Sequence, residues 1–311
     1  MKVIELPLLE VDLNKFMKRL ATESDCDNFI NYDCLITSAG VAKILYLKLT
    51  DIETKYIRQA CKNIKYSKVE RLSKGLITKG KNRPFGLRPK RQMSQFASSC
   101  STTSLAKDSP IEHNIFCEFI KTLTPFYEKF FPNEYVKNTT EVSKKVLPEW
   151  QIENTPFTSG IVNYNSELQY HYDIGHFHGA LSIMLTLKNG INGGGLCFPE
   201  LGINLELADN TLLLMDGQEL MHGVTPIIKK ASNGYRYTIV YYSLLQMWKC
   251  LPISEEIIAT RKMRANREAK RAAGEVGLLA SDKAKNGKAF SEKQTLSIAK
   301  KITTISTNAT K

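Results

Sequence analysis

Three of the five histidines lie between residues 170 and 178, and this stretch contains a pair with the spacing of metal ligands. His171 and Asp173 are separated by a single residue, so on a β-strand both side chains point to the same face. One imidazole and one carboxylate on a common face can occupy two adjacent corners of an octahedral metal ion. The pair therefore predicts half of a metal site.

A third ligand is predicted at His222, which lies 51 residues beyond His171 and follows a predicted strand. Two imidazoles and a carboxylate that meet at one point form a facial triad, the arrangement typical of non-haem Fe(II) sites with open coordination positions. Other interpretations stay open for so short a motif. A His-x-Asp pair also occurs in surface turns, and a cluster rich in histidine also suits zinc or a cupin-like pocket.

The remaining histidines carry less specific signals. Gly175 and Gly179 predict that His176 and His178 lie on the loop leaving the ligand strand, either near a substrate or in a local polar role. His113 falls within a segment predicted to be helical, where we expect a structural role.

Arg236 lies 14 residues beyond His222, in a β-prone run that continues to Tyr242. Because alternate residues of a strand share a face, Arg236 and Thr238 are predicted to point together. A guanidinium matches a carboxylate in a two-bond geometry and a hydroxyl donates a further hydrogen bond, so the pair suits the distal carboxylate of 2-oxoglutarate. The alternative is an ion pair between Arg236 and a carboxylate of the core, which is less expected in so apolar a strand.

Short β-prone runs separated by turn residues fill the segment from 148 to 250. The predicted strands are 158–162, 181–187, 196–198, 211–215 and 236–243. Turn residues at 188–190, 192–195 and 208–210 stand where hairpins require them. Many short strands of this kind predict a double-sheet jelly roll, or double-stranded β-helix, as the catalytic core.

Residues 1–147 are predicted to be a mainly helical region that packs on this core. The apolar residues from 45 to 61 are interpreted as one face of a helix. A second helix is predicted over 110–131, and Pro132 is expected to end it. Glycines and prolines interrupt residues 71–91, which contain no acid and are predicted to form a basic loop or extended arm. Its eight basic residues are Arg71, Lys74, Lys79, Lys81, Arg83, Arg88, Lys90 and Arg91.

Residues 251–311 are predicted to be a basic helix followed by a flexible tail. A run of basic residues from 261 to 271 contains one acid, Glu268. A helix face that is exposed to solvent explains this run most simply. The run comprises Arg261, Lys262, Arg264, Arg267, Lys270 and Arg271. The last forty residues or so are rich in Lys, Ser, Thr and Ala, a composition typical of disorder. The fold class predicted for the whole chain is α+β.

Charge and cysteine usage indicate the partners and the compartment. Lys and Arg outnumber Asp and Glu by 43 to 31, and the net charge of +12 favours a polyanion such as nucleic acid, with solubility as the alternative. Seven scattered cysteines without a Cys-x-x-Cys pair predict reduced thiols and a cytoplasmic or nuclear protein. No run approaches the roughly 20 apolar residues of a membrane span, so we expect a soluble protein without a membrane partner.

Taken together, these motifs resemble the catalytic core of 2-oxoglutarate dioxygenases of the TET/JBP type, which includes viral and microbial members. The resemblance covers about a third of the chain, from Pro156 to Cys250. The triad and the arginine are shared by the whole superfamily, while the Gly-Gly and His-Gly-Val-Thr-Pro motifs narrow it to this branch. The motifs that carry it are 157–163 (FTSGIVN), 171–173 (HYD), 194–200 (GGLCFPE), 222–226 (HGVTP) and 236–238 (RYT).

The resemblance implies that His171, Asp173 and His222 hold Fe(II) and that Arg236 binds the distal carboxylate of 2-oxoglutarate. It places Thr238 and Asn163 in the same co-substrate site. It also implies O2 as a co-substrate and the release of succinate and CO2. In the TET/JBP branch the substrate is the methyl group of 5-methylcytosine or thymine, so the implied partner is nucleic acid, above all DNA. The oligomeric state is left open.

Two other functions are compatible with the same residues. A prolyl or other protein hydroxylase would share the core and use the basic segments as soluble surface or to dock an acidic protein. A catalytically inactive jelly roll that binds nucleic acid would keep the basic segments without the chemistry.

Overall fold

The protein is built mainly from strands, with helices packed on one side. The computed structural model describes residues 1–17, 19–73, 76–90 and 99–272, with the backbone alone for 69–73, 76–79 and 270–272. The strands in these ranges are β1 (Lys2–Glu5), β2 (Asn28–Ile30), β3 (Cys34–Ser38), β4 (Val41–Lys48), β5 (Ser67–Ser73), β6 (Leu76–Arg88), β7 (Ser101–Thr102), β8 (Ser159–Tyr164), β9 (Ser182–Asn189), β10 (Ile191–Gly193), β11 (Leu196–Phe198), β12 (Ile203–Leu205), β13 (Thr211–Met215), β14 (Gly223–Val224), β15 (Ile227–Lys229) and β16 (Tyr235–Tyr242).

Five α-helices and five short 3-10 turns complete the described elements. The helices are α1 (Lys55–Asn63), α2 (Ser104–Asp108), α3 (Pro110–Phe130), α4 (Pro132–Lys145) and α5 (Ile253–Ala272). The 3-10 turns span Leu13–Lys15, Glu23–Asp25, Pro148–Trp150, Pro199–Leu201 and Leu245–Lys249. Within the ranges given above, every helix falls short of the length and apolar character that crossing a membrane requires.

Two sheets face each other across the core. In the described residues the larger sheet has the strand order β1-β3-β4-β13-β9-β16-β8-β6-β5, with β7 paired to β6. The smaller sheet has the order β14-β11-β12-β2, and β10 and β15 form a separate two-stranded sheet. Buried side chains from both sheets pack against one another, as Tyr46 and Leu213 do with Phe198 and Ile203. This is the two-sheet arrangement that the jelly-roll prediction requires.

Alternation along the central strands builds two apolar layers from one sheet. On β13, Leu212 and Leu214 pack toward the helices, while Leu213 and Met215 pack toward the smaller sheet. Successive side chains of a strand point to opposite faces, so a strand covered on both sides is apolar throughout. Strand β9 follows the same rule, with its first six residues all buried. The central strands are thereby held on both faces.

The helical layer covers the outer face of the larger sheet. Buried residues of α1 and α3 pack on β9, β13 and β16, and Phe116, Ile120 and Leu123 are all fully buried there. Proline at the first position of α3 and of α4 removes an amide that a helix start would leave unpaired. The predicted helix over 110–131 and its stop at Pro132 are therefore confirmed.

The strand predictions from residue 148 to 250 are confirmed, and two of them have the observed bounds. Strands β11 and β13 span the predicted 196–198 and 211–215, and the other three strands differ by one to two residues at their ends. Helix α5 confirms the basic helix predicted at the start of residues 251–311. The tail predicted beyond this helix lies outside the described residues.

The prediction of a mainly helical region over 1–147 is wrong for its first part, whereas α2, α3 and α4 lie in its second part. The described residues between 2 and 88 contain six strands and one α-helix, and β4 pairs with β13 in the middle of the larger sheet. Leu45, Leu47 and Leu49 recur at every second residue, which is the period of a strand, and only the stretch around Ile57 and Cys61 has the helical period. Tertiary pairing of this segment with the core completes the sheet.

Residues 71–91 are also not the basic loop or arm that was predicted. Strands β5 and β6 form a hairpin, and β6 pairs with β8 in the larger sheet. Arg83 forms an ion pair with Asp108, and Lys90 lies 3.3 Å from Glu256. Among the other basic residues of this run, Lys81 is exposed and Arg88 is half-buried. The remaining four have side chains outside the described part of the structure. Part of this positive charge is therefore already compensated within the chain.

Segments on both sides of residue 148 contribute to one sheet, because β4 pairs with β13 and β6 pairs with β8. The division of the chain into 1–147, 148–250 and 251–311 remains a proposal about its organisation. What the structure adds is that the sheet continues across the first of these boundaries.

The expectation that all cysteines are reduced is wrong for one pair. Cys100 and Cys250 form a disulfide across a sequence separation of 150 residues, while Cys26, Cys34, Cys61, Cys117 and Cys197 are free thiols. The sequence spacing contains no motif for this pair, since only the folded chain brings the two segments together. The buried Glu256 supports the same junction by accepting hydrogen bonds from the amides of Cys100 and Leu251.

One glycine of β8 is required by close packing. An added Cβ at Gly160 would lie 2.1 Å from the ring of Phe85, which is itself buried against Phe116 and Tyr241. We expect Gly160→Ala to lower the free energy of unfolding by about 1–3 kcal/mol through overpacking, measured by urea denaturation. Combining it with Phe85→Leu should cost less than the sum of the two single changes. Additive costs would contradict this contact as the reason for glycine.

Candidate active site

Two short segments carry the predicted metal ligands, and a reciprocal pair of hydrogen bonds joins them. The amide of His171 donates to the carbonyl of His222 and the amide of His222 donates to the carbonyl of His171, both at 3.0 Å. His171 lies in the segment between β8 and β9, where it forms an isolated bridge with His222. The sequence predicted a longer strand at this position. Direct pairing brings the two imidazoles together, with ring centroids 4.4 Å apart.

Asp173 completes the cluster. Its Oδ1 lies 3.6 Å from Nε2 of His171 and 3.9 Å from Nε2 of His222. The three ligand atoms all lie within 4.8 Å of one another, so one metal ion could contact all of them. The donors are two nitrogens and one carboxylate oxygen, a set that suits a divalent transition metal with open coordination positions.

Both imidazoles are oriented by a backbone carbonyl two residues earlier in the chain. Nδ1 of His171 lies 2.7 Å from the carbonyl oxygen of Gln169, and Nδ1 of His222 lies 2.9 Å from that of Leu220. A carbonyl oxygen only accepts, so Nδ1 of each ring carries the proton and Nε2 is left with a lone pair directed at Asp173. Each histidine therefore presents the tautomer that can ligate a metal through Nε2.

The protonation states of the cluster also suit ligation. Burial and the neighbouring His171 together lower the pKa of His222 to about 4, against the opposing effect of Asp173. Burial alone would raise the pKa of Asp173, but the interactions with the imidazoles of His171 and His222 hold that pKa well below its usual range. At neutral pH the cluster therefore contains a carboxylate anion and a neutral His222.

Glu200 connects the segments beside both histidines. Its Oε1 accepts a hydrogen bond from the hydroxyl of Tyr172 at 3.0 Å, and its Oε2 accepts one from the amide of Met221 at 2.6 Å. Tyr172 follows His171 and Met221 precedes His222 in the chain. One carboxylate thus fixes both ligand segments from the smaller sheet's side.

Gly217 fits closely against Asp173. A Cβ at this position would lie 2.3 Å from Oδ2 of Asp173, and the carbonyl of Gly217 accepts a 2.8 Å hydrogen bond from the amide of Asp173. Any larger residue would push the carboxylate away from the histidines. The position of the carboxylate therefore depends on a residue without a side chain.

Arg236 lies deep in the fold with Thr238 and Asn163 beside it. Arg236 is 2% exposed, and its side chain forms no ion pair with any residue in the described part of the chain. Its Nε is buried without a hydrogen-bond partner there. The alternative of an ion pair with a core carboxylate is thus not seen within those ranges. Asn163 donates to the hydroxyl oxygen of Thr238 at 3.3 Å, which leaves the hydroxyl hydrogen of Thr238 free to donate elsewhere.

The electrostatics of Arg236 favour an anion. Burial lowers its pKa to about 10, partly offset by the charge of Glu167, so the guanidinium remains protonated at neutral pH. A buried charge without a partner is costly, and a carboxylate that accepts from the guanidinium would remove much of that cost. The arrangement is suited to binding a carboxylate.

Gly194 forms the surface on which Arg236 packs. Its φ of +67° lies in the left-handed region, and an added Cβ would lie 2.7 Å from Cδ and 2.8 Å from Nε of Arg236. Both facts favour glycine at this position. The Gly-Gly motif found in the sequence therefore has a physical explanation at Gly194, where the backbone must approach the guanidinium stem closely.

A cavity of about 540 Å³ connects the metal cluster with Arg236. Residues His171, Asp173, His222, Asn163, Arg236 and Thr238 all line it. His176 is buried in its wall and stacks on Tyr242 with ring centroids 4.7 Å apart and planes 9° from parallel. His178 is exposed and does not line the cavity, and His113 accepts a hydrogen bond from the amide of Gly86 away from it. The structure thus brings all six predicted site residues into one space.

Sequence reasoning missed one residue that lines this cavity and two residues that support the metal cluster from outside it. Tyr242 could have been found by extending the alternation of Arg236 and Thr238 along β16, because alternate residues face the same side. Glu200 was noted only as part of a motif. Gly217 had no detectable signal, since its importance comes from a contact with a residue 44 positions earlier in the chain.

Comparison with known proteins agrees with this geometry. Residues 91–244 match the Tet_JBP family model, described as the oxygenase domain of the 2OGFeDO superfamily. Over 126 residues the chain is 28% identical to the bifunctional helicase and thymine dioxygenase JBP2 of Trypanosoma brucei brucei. That segment is 40% of this chain and 11% of JBP2, so the chain matches only a small part of that protein's length.

A solved structure shows the same fold. NgTET1 in complex with 5mC DNA superimposes on this chain with a TM-score of 0.52 and 12% identity, covering 79% of this chain and 92% of the other. At this identity the likeness shows the fold alone. Together with the family match, it confirms the predicted α+β chain with a double-stranded β-helix core.

The cofactors of the 2OGFeDO superfamily are Fe(II), 2-oxoglutarate and O2. The residues present fit them, because the cluster offers two imidazoles and a carboxylate and the buried guanidinium of Arg236 has an unpartnered Nε. Residues 91–244 therefore match the oxygenase domain of the 2OGFeDO superfamily, and the match indicates a 2-oxoglutarate- and Fe(II)-dependent dioxygenase domain in this part of the chain.

Proposed function

We propose that this dioxygenase hydroxylates the methyl group of a pyrimidine, 5-methylcytosine or thymine, in nucleic acid. In the balanced reaction, the methyl group, O2 and 2-oxoglutarate give a hydroxymethyl group, succinate and CO2. The observation that carries the proposal is the single cavity that contains the His171, Asp173 and His222 cluster and Arg236.

In this proposal His171, Asp173 and His222 hold Fe(II). The hydrogen bonds from Nδ1 to the carbonyls of Gln169 and Leu220 keep both Nε2 atoms directed at the ion. When bound, Fe(II) and 2-oxoglutarate supply the oxygen-activating chemistry. The largely apolar cavity limits the access of water to the reacting atoms.

Arg236, Thr238 and Asn163 bind the distal carboxylate of 2-oxoglutarate in this proposal. The guanidinium supplies charge and two parallel donors, and the hydroxyl of Thr238 supplies a further donor. Asn163 orients that hydroxyl through the 3.3 Å bond to its oxygen. Gly194 holds the stem of Arg236 in place by its close approach.

The substrate class is supported by the relatives. The matched protein JBP2 is named a thymine dioxygenase, and the NgTET1 structure contains 5mC DNA. Thymine and 5-methylcytosine are both pyrimidines that carry a methyl group. The net charge of +12 favours the approach of a polyanion, and Arg261, Lys262 and Arg264 of α5 are exposed to meet one.

Turnover of the co-substrate tests the chemistry. We expect the purified protein with Fe(II), 2-oxoglutarate and a methylated or thymine-containing oligonucleotide to release succinate. Replacing a ligand, as in His171→Ala or Asp173→Ala, should reduce this release by more than about 100-fold because the metal is lost. His178→Ala is the matched control, an exposed histidine of the same loop that lies outside the cavity.

Mass spectrometry of the nucleosides from the same reaction tests the substrate. A hydroxymethyl pyrimidine that depends on the triad would support the proposal. Unmodified oligonucleotides together with an oxidised peptide would instead identify a protein hydroxylase. Binding of oligonucleotides without succinate release by the Fe(II)-loaded protein would favour the inactive binding protein.

Arg236→Lys is expected to weaken 2-oxoglutarate binding. Losing the two-bond geometry should remove a charge-assisted interaction of about 1.5–3 kcal/mol, which raises the KM for 2-oxoglutarate about 10- to 150-fold. Gly194→Ala should also raise this KM, because it displaces the guanidinium stem.

Gly190→Ala controls for backbone strain, since Gly190 has a similar φ of +60° in the neighbouring turn but its Cβ would meet Ala231. An equal rise of KM in Gly194→Ala and Gly190→Ala would show that the effect comes from strain and not from Arg236. Steady-state kinetics at saturating Fe(II) measure the comparison.

Gly217→Ala is expected to weaken metal binding. The added methyl displaces the carboxylate of Asp173, and disturbing the support of a ligand typically costs about 10- to 100-fold in metal affinity. Titration with Mn(II), followed by electron paramagnetic resonance, measures that affinity directly. Activity that returns at high Fe(II) would show displacement of a ligand, whereas unchanged Mn(II) affinity would show that this contact does not position Asp173.

A further inference from the structure

Ile174 is an exposed apolar side chain at the rim of the active-site cavity. It is 90% exposed, and of the cavity-lining residues in the described ranges it alone is exposed. It directly follows Asp173 in the chain. An apolar side chain in water is ordinary at the surface of a protein, but this one also lines the cavity that contains the metal cluster.

The backbone on both sides of Ile174 is held in place. The amide of Asp173 donates to the carbonyl of Gly217 at 2.8 Å, and the amide of Leu245 donates to the carbonyl of Gly175 at 2.9 Å. His176 pairs with Leu244 in an isolated bridge. The tip that carries Ile174 is therefore fixed to two different parts of the core, and the side chain is presented at a defined position.

The space around the tip is open. Gly175 has a φ of +91°, and an ideal Cβ built on it would have no heavy atom of the described residues within 4 Å. Isoleucine is branched at Cβ and has few accessible rotamers, so little side-chain freedom is lost when it is immobilised. A stiff apolar side chain that projects from an anchored tip is well suited to insertion between flat rings.

A target base in a duplex cannot reach the metal cluster while it is stacked. It has to leave the helix, which breaks its stacking and pairing. Proteins that distort duplexes commonly insert apolar side chains between base steps, isoleucine among them. Ile174 directly follows the metal ligand Asp173 in the chain. A base that enters the cavity therefore leaves an empty position in the base stack close to the side chain of Ile174.

We propose that Ile174 inserts into the base stack of double-stranded DNA beside the pyrimidine that is extruded into the cavity. The inference rests on the proposed function and deepens it, since it names a duplex as the substrate. Ile174 replaces the stacking that the extruded base gives up, and thereby favours the extruded state. A single-stranded substrate has less stacking to replace and depends less on this side chain.

Paired activity assays on matched duplex and single-stranded oligonucleotides test the inference. Ile174→Ala should lower the ratio of duplex to single-strand kcat/KM by at least about tenfold, because unstacking costs a few kcal/mol per base step and the wedge offsets part of it. Ile174→Leu, which keeps an apolar branched side chain, should restore most of the ratio. Ile111→Ala is the matched control, since Ile111 is 72% exposed on α3 and does not line the cavity.

A fluorescence measurement separates insertion from catalysis. 2-Aminopurine placed next to the target pyrimidine brightens when its stacking is broken, and the Mn(II)-loaded protein without O2 allows binding without turnover. The wild-type protein and Ile174→Leu should raise the fluorescence of the duplex, and Ile174→Ala should raise it much less. Thermal denaturation of each variant shows whether the fold is kept.

The outcomes distinguish this inference from the proposed function. Suppose that the wild-type protein oxidises the duplex but Ile174→Ala changes neither the ratio of duplex to single-strand kcat/KM nor the 2-aminopurine fluorescence. The insertion of Ile174 is then wrong and the proposed function stands. If no oligonucleotide gains a hydroxymethyl group and no fluorescence change occurs, both are wrong.

Discussion

The reciprocal hydrogen bonds between the backbones of His171 and His222 join two segments that are 51 residues apart, and the arrangement of the metal cluster depends on them. They fix the distance between the two rings, while Glu200 holds the residues next to each histidine. Asp173 can then approach both Nε2 atoms because Gly217 leaves room for its carboxylate. The geometry thus comes from the main chain more than from the side chains, which suits a site whose ligands must keep their positions when a metal enters or leaves.

The second constraint is a positive charge placed where water cannot solvate it. Strand β16 alternates between the two apolar layers, so that Arg236 and Thr238 face the cavity while Tyr237, Ile239 and Tyr241 pack under the helices. The same strand therefore builds the core and delivers the guanidinium. Burial of the guanidinium has a cost in free energy, and an anionic co-substrate reduces that cost. Tighter binding of the co-substrate therefore also makes the folded protein more stable.

Period and spacing were sufficient to predict the strands from 158 to 243, the helix that begins at Pro110 and five of the residues that line the cavity, while Asn163 came from the family resemblance. These features depend on local pattern, and Arg236 with Thr238 is an example in which alternation alone predicted a shared face. Strand β4 was missed although Leu45, Leu47 and Leu49 have the period of a strand, whereas its pairing with β13 has no local signal because the two strands are distant in the chain. Contacts such as Gly217 with Asp173, or Cys100 with Cys250, are likewise invisible to a local pattern since each joins distant segments.

The two halves of the cavity differ in how firmly the sheet holds them. Strand β16 is hydrogen-bonded along its length to β9 on one side and to β8 on the other, whereas the segment around His171 is joined to the core by separate short contacts, such as the bridge to His222 and the hydrogen bond from Asp173 to Gly217. Amide hydrogens of interior strands exchange with solvent only when large parts of a protein open, and those of weakly paired segments exchange through smaller local openings. The amides of the ligand segments are therefore exchanged through local openings, whereas those of β16 around Arg236 exchange only when the larger sheet itself separates.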